Sequence, residues 1–120
     1  MLRKRILYIQ VFQDHFMARV VGEDRRARRD CHALDNSRGD PDFSRVREAL
    51  TSLVKELTPG FSFRRPTALL HFIPEHYQPT EAQLDLFKRT AERSGISFCW
   101  LSKWEVANSD QELANVFRAL

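Results

Sequence analysis

Glycine is scarce in this chain of 120 residues, and its four copies are widely scattered, so no glycine-rich turn is present to cradle a phosphate. Cysteine is scarcer still. Cys31 and Cys99 stand far apart, which excludes a zinc-ligand pattern and a disulfide framework. Cys99 lies in an apolar run and reads as a small core residue. His15, His32, His71 and His76 have no spacing that would bring three or four metal ligands together. No nucleophile elbow or recognisable Cys/His pairing is present. Long apolar runs are missing too, so nothing here spans a bilayer. Met1-Leu-Arg-Lys-Arg5 followed by Ile6 to Ile9 opens like a secretion signal, but the run breaks at Gln10 and no small-residue cleavage site follows. The expected address is the cytoplasm, with no membrane insertion.

What remains is an ordinary globular composition. Hydrophobic residues make up 42% and charged residues 29% of the chain, enough for one domain over residues 1–120 with a single core. The net charge of +3 and an isoelectric point near 9.2 make a polyanion a partner worth testing.

Hydrophobic periodicity divides the chain into alternating elements. Ile6 to Phe12 is almost continuously apolar, as in a strand covered on both faces. Gln13-Asp14-His15 makes a turn, Phe16 to Val21 a second strand, and Gly22-Glu23-Asp24 a second turn. Residues 25–33 are far more polar and fit a strand at a sheet edge. After a polar loop from Asp35, Asp40-Pro41 offers a side-chain cap and a proline at the first helical position. Phe43, Val46, Leu50, Leu53, Val54 and Leu57 then recur on one helical face, and Thr58-Pro59-Gly60 ends the helix. Thr67 to Ile73 reads as another doubly buried strand. Thr80 with Gln83 forms a capping box for a helix whose inner face is Leu84, Phe87 and Ala91, stopped at Gly95. Ile96 to Leu101 is a fifth strand. Ser109 with Glu112 caps a last helix with Leu113, Val116, Phe117 and Leu120 as its inner stripe.

The order β-β-β-α-β-α-β-α is that of the ribonuclease H-like α/β fold: a five-stranded mixed sheet, strand order 3-2-1-4-5, flanked by helices. Within that fold the chain resembles the first lobe of the MreB family of bacterial actins. The likeness rests on Pro66, Leu69 to Pro74, Thr80-Glu-Ala-Gln83, Ala91 to Gly95 and Ile96 to Leu101, with residues 42–57 and 6–21 resembling the preceding helix and the opening hairpin. It covers most of this chain, but only about a third to a half of a complete actin-like protein.

The departures bear on chemistry. In the family the opening hairpin turns through Asp-x-Gly-Thr, which holds phosphate and organises the metal. Here that stretch reads Gln10-Val11-Phe12-Gln13. Phenylalanine replaces the glycine that lets phosphate approach the backbone, and glutamine replaces the aspartate that helps hold hydrated magnesium. The Glu-Pro after the fifth strand of MreB is replaced by Lys103-Trp104-Glu105, and the second lobe has no counterpart. Gln83 falls where the family places a water-orienting Glu or Gln, but without phosphate loops it has nothing to orient, and helix capping explains it more simply. The fold's nucleases hold two metals on carboxylates, and only Glu48, Glu75 and Asp14 could approach the same edge. Glu48 reads as a solvated helix charge and Glu75 as a loop residue.

The expected protein therefore has no catalytic residue, no cofactor and no metal. Its candidate interaction residues are Arg25, Arg26, Arg28, Arg29 and Trp104. In an extended segment Arg26 and Arg28 point to one face and Arg25 and Arg29 to the other. The simplest reading of that charge is edge protection. Arg3-Lys4-Arg5 could lengthen it into a basic stripe, and Arg64-Arg65 forms a third cluster, with Phe61 and Phe63 nearby. His71, inside an apolar strand, reads as a core residue with one satisfied hydrogen bond. Trp100 and Trp104 are either core filler or partner anchors, Trp104 being the better candidate for exposure. The resemblance implies a protein partner, namely an actin-like filament or a second copy of the chain. The alternative is a nucleic-acid-binding or divergent nuclease member of the same fold, using the basic edge with Glu48 or Glu75.

Overall fold

The computed structural model describes residues 5–60 and 65–118, with side chains in the last helix described only as far as Asn115. The elements run β1 (Ile6–Val11), β2 (His15–Val20), β3 (Arg26–Asp30), a 3-10 turn (His32–Leu34), α1 (Phe43–Leu57), β4 (Thr67–His71), α2 (Glu81–Glu92), β5 (Phe98–Ser102) and α3 (Asp110–Arg118). The strands form one sheet in the order β3-β2-β1-β4-β5. Both hairpin pairs are antiparallel, and β4 and β5 run parallel to β1. This is the ribonuclease H-like arrangement of a mixed sheet expected from the sequence. Among the described residues no helix is long and apolar enough to cross a membrane.

The alternation of strand side chains sorts the sheet into two unlike faces. Leu7, Ile9, Val11, Phe16, Ala18, Val20, Ala68, Leu70 and Cys99 join Val46, Leu50, Leu53, Val54 and Leu57 of α1 and Leu84, Phe87 and Ala91 of α2 in the main core. Phe87 sits at its aromatic centre, with ring centroids 5.0 Å from both Phe43 and Phe72 and 5.7 Å from Tyr77. The opposite face is only partly roofed. Tyr8, Leu69 and Leu113 form a small second cluster there, with Val21 and Trp100 packed against it.

Helix ends follow local chemistry, with one correction. The first helix does not start at Asp40-Pro41. Its cap is Asp42, whose carboxylate accepts the N–H groups of Ser44 and Arg45 at 3.2 and 3.4 Å. Asp40 is drawn instead to the Gln83 side-chain amide at 2.9 Å, and Pro41 is buried between the two. The Thr80/Gln83 box is complete, Ser109 and Glu112 exchange both of their capping bonds, and Gly95 takes φ +98° just beyond α2. Leu113 is buried as expected, whereas the side chains of Val116, Phe117 and Leu120 lie outside the described residues.

Strand boundaries move by one to three residues. β3 ends at Asp30 because Cys31 turns inward and the chain enters the 3-10 turn; β4 ends at His71, before Pro74; and β5 begins at Phe98, with Ile96 buried ahead of it.

Candidate functional site

The carboxyl edge of β1 and β4 is where the resemblance would place a nucleotide, and here it is occupied by the protein itself. The hairpin bend brings Phe12 onto His15, with rings stacked 4.3 Å apart and 8° from parallel, and His76 lies against the same ring at 4.7 Å. Beside it, Gln13 and Asn36 exchange two hydrogen bonds, side-chain amide to side-chain oxygen at 3.0 Å and backbone N–H to side-chain oxygen at 3.2 Å. The Asn36 amide also donates to the Gln78 carbonyl at 3.0 Å and to Gln83 Oε1 at 3.1 Å. Gln83 Oε1 accepts a further bond from the Thr80 backbone at 3.1 Å, and its amide holds Asp40. Tyr77 ties the layer down, its hydroxyl donating to the Leu34 carbonyl at 2.6 Å.

Both lone pairs of the Gln83 oxygen are thus taken, and the side chain is only 5% exposed. It has no acceptor left with which to orient a water molecule. The loop after β3, the first hairpin and the start of α2 are stitched into one polar layer over the sheet edge.

The carboxylates considered for metal chemistry do not converge. Gln10 points to the face away from α1, its amide donating to the Tyr8 hydroxyl at 3.2 Å. Glu48 is exposed and lines a shallow groove with Arg29, Asp30, Cys31, His32 and Arg45. Glu75 is exposed on the loop after β4, and Asp14 is taken by His15 at 2.6 Å. Among the described residues no three His, Cys, Asp or Glu side chains are placed to hold a metal ion.

The second face carries a buried relay that the sequence did not announce. Tyr8 donates its hydroxyl to His71 Nδ1 at 2.6 Å and accepts the Asn108 backbone N–H at 3.0 Å. His71 Nε2 meets the Trp104 carbonyl at 2.9 Å; a carbonyl only accepts, so Nε2 carries the proton and Nδ1 is the acceptor. His71 therefore makes two hydrogen bonds, where one had been expected. Residues 103–109, between β5 and α3, thus form a strap across this face, and Arg19 holds its far end. Its guanidinium lies 4.5 Å above the Tyr8 ring and bonds Asp110 at 2.8 Å and the Asn108 carbonyl at 2.7 Å, while Asp110 also accepts the Gly22 N–H at 2.9 Å. Gly22 N–H, then Arg19, hold the Asp110 carboxyl below its ordinary range.

Desolvation holds the His71 pKa below its ordinary value, against the smaller opposing effect of the Trp104 carbonyl. The folded chain thus resists a proton that the unfolded chain takes up near pH 6.5. Stability from this group is complete above that pH and falls as pH drops below it, by at most about 1.4 kcal/mol per pH unit. Urea unfolding at pH 7.5 and pH 5 is expected to register this loss, and His71→Gln to remove most of it. The exposed carboxyls of Asp14, Asp35 and Glu112, whose pKa values are lowered by hydrogen bonds, act only in the more acidic range. An unchanged pH dependence in His71→Gln would contradict the assignment.

The predicted interaction residues divide as the alternation required. Arg25 donates to the Leu57 carbonyl at 3.2 Å and Arg29 pairs with Glu56, so both are tied to the end of α1. Arg26 and Arg28 are exposed on the other face, lining a groove of about 340 Å³ with Tyr8, Gln10, Met17 and Arg19. Trp104 is 62% exposed, at some remove along the strap over His71. Trp100 is half-buried against the Tyr8, Leu69 and Leu113 cluster. Arg3, Lys4, Phe61, Phe63 and Arg64 lie outside the described residues.

No protein-family model matches this chain, and neither a curated protein nor a solved structure shows a significant likeness to it.

Proposed function

We propose that this chain is a non-catalytic domain of actin-like, MreB-like type that works by binding another protein. The observation that carries the reading is the polar layer at the carboxyl edge. Phe12, Gln13 and Gln83 stand at positions that an actin-like ATPase uses for phosphate and water, and here they are spent on internal packing, with Asn36 binding Gln13 and Gln83 together. A domain whose cleft is filled in this way keeps only its surfaces to work with. The lobe it resembles takes part in filament contacts, so an actin-like filament, or a second copy of the chain, is the partner that fits best.

The nucleic-acid alternative would use the same arginines. Among the described basic residues around β3, Arg19, Arg25 and Arg29 are engaged by Asp110, the Leu57 carbonyl and Glu56, which leaves Arg26 and an Arg28 weakly paired with Asp30 on the open face. Two phosphate contacts make a weak nucleic-acid site, with little counterion release to drive binding.

Co-sedimentation tests the proposal. Filaments of an MreB-family protein assembled with ATP are expected to carry this chain into the pellet, or the chain alone is expected to sediment as a dimer. A chain that stays monomeric and remains in the supernatant at every filament concentration would contradict it.

A further inference from the structure

β3 is one edge of the sheet, and half of its backbone is unused. The Val20 N–H bonds the Arg25 carbonyl at 3.0 Å, and the Cys31 N–H bonds the Asp14 carbonyl at 2.8 Å. Antiparallel ladders alternate between bonded and open pairs. Counted from either bond along the register Ala18↔Ala27 and Phe16↔Arg29, the residues that face β2 are Ala27 and Arg29. Arg26, Arg28 and Asp30 therefore turn their N–H and C=O groups away from the sheet. Among the described residues nothing on the backbone meets them.

The side chains of Arg26 and Arg28 stand over the open groove, one strand repeat apart, with Met17, which is 46% exposed, between them and Gln10. Arg28 shares its guanidinium with Asp30 at 3.1 Å, a solvent-exposed pair of little strength. Arg26 lies close enough to Asp110 to influence its carboxyl, and no hydrogen bond among the described residues engages its own side chain.

We infer that this edge accepts an extended acidic segment of a partner protein as an added strand. This rests on the protein-binding role proposed above. The segment's backbone pairs with Arg26, Arg28 and Asp30, and its alternate carboxylates meet Arg26 and Arg28 across the new strand pair. Strand addition suits the geometry because every second side chain of the newcomer falls on the groove face. The same arginines repel the β3 edge of a second copy, so the charge that guards the edge also selects its occupant. A nucleic-acid chain would satisfy the guanidiniums but would leave the outward N–H and C=O groups without strand partners. Among the described residues the one ring lining the groove, Tyr8, is buried beneath Arg19.

The test uses the full chain and a fluorescein-labelled nine-residue peptide of alternating glutamate and valine, followed by anisotropy. Saturable binding is expected, weakened at least ten-fold in the Arg26→Glu/Arg28→Glu double variant. Asp30→Asn and Asp30→Pro remove the same negative charge, but only the proline also removes an outward N–H. Strand addition requires the first to bind as well as or better than the parent and the second to bind at least five-fold worse. A peptide N-methylated at every residue, equal in charge but without donors, is expected not to bind, and it serves should Asp30→Pro fail to fold. Equal binding by the two Asp30 variants, or retained binding of the N-methylated peptide, would reduce the edge to a charge patch and overturn the inference. So would tighter binding of a single-stranded oligonucleotide of matched charge, or no peptide binding at millimolar concentration. Either result leaves filament co-sedimentation free to succeed through another surface.

Discussion

Phe87→Ala is expected to cost about 3–5 kcal/mol of folding stability, the largest loss from any single truncation in this core. The ring has no exposed surface and meets Phe43 and Phe72 edge-on at 5.0 Å and Tyr77 at 5.7 Å. Those partners come from the start of α1, the residue just after β4 and the loop that follows it. None can collapse into the space without moving the element that carries it, so a cavity is left. A domain of 120 residues holds about 6–18 kcal/mol in total, so the variant should lose a substantial part of its urea midpoint. The carboxyl-edge layer rests on the same ring through Tyr77, whose hydroxyl anchors Leu34. A loss below about 1 kcal/mol would mean that the aromatic cluster is not the packing centre described above.

Tyr8→Phe is expected to cost about 2–4 kcal/mol while removing a single oxygen atom. The hydroxyl serves His71 Nδ1, the Asn108 backbone N–H and the Gln10 amide at once. His71 is fully buried and Asn108 is 8% exposed, so two buried polar groups lose their partner, each at about 1–3 kcal/mol. The loss should fall first on the strap over the second face, since Asn108 begins the approach to α3 and the Trp104 carbonyl rests on the same histidine. Hydrogen exchange at Asn108 and Leu113 should rise further than exchange at Leu50 or Leu70 in the main core. Equal increases at all four amides would place the relay within the global unfolding unit and contradict a locally tethered strap.

These two sites mark what was legible in the sequence and what was not. The inner faces of α1 and α2 could be read from periodicity, because each stripe is a local pattern and burial follows it directly. Both capping boxes were legible for the same reason, being exchanges between residues three apart. The division of the arginines needed only the two-residue repeat of a strand. The start of α1 was misplaced because Asp40 and Asp42 are both good caps. What decides between them is Gln83, 43 positions from Asp40 along the chain, which takes Asp40 for itself. The relay on the second face was invisible on the same grounds. Tyr8 to His71 spans 63 positions and Tyr8 to Asn108 spans 100, so nothing local pairs them. The phenylalanine and glutamine of the opening hairpin were visible at once, but the hydrogen bonds of Asn36 at that edge were not. An asparagine in a polar loop carries no sign that its amide will meet Gln13, Gln78 and Gln83 together.

Titration of the folded chain with ATP and magnesium, followed by isothermal calorimetry, bears on the central claim more directly than any mutation. A carboxyl edge filled by Phe12 and the Gln13–Asn36–Gln83 layer should give no saturable heat up to millimolar nucleotide and no rise in melting temperature. Saturable, magnesium-dependent binding accompanied by a higher melting temperature would show that the edge still opens to a triphosphate, and would contradict the account.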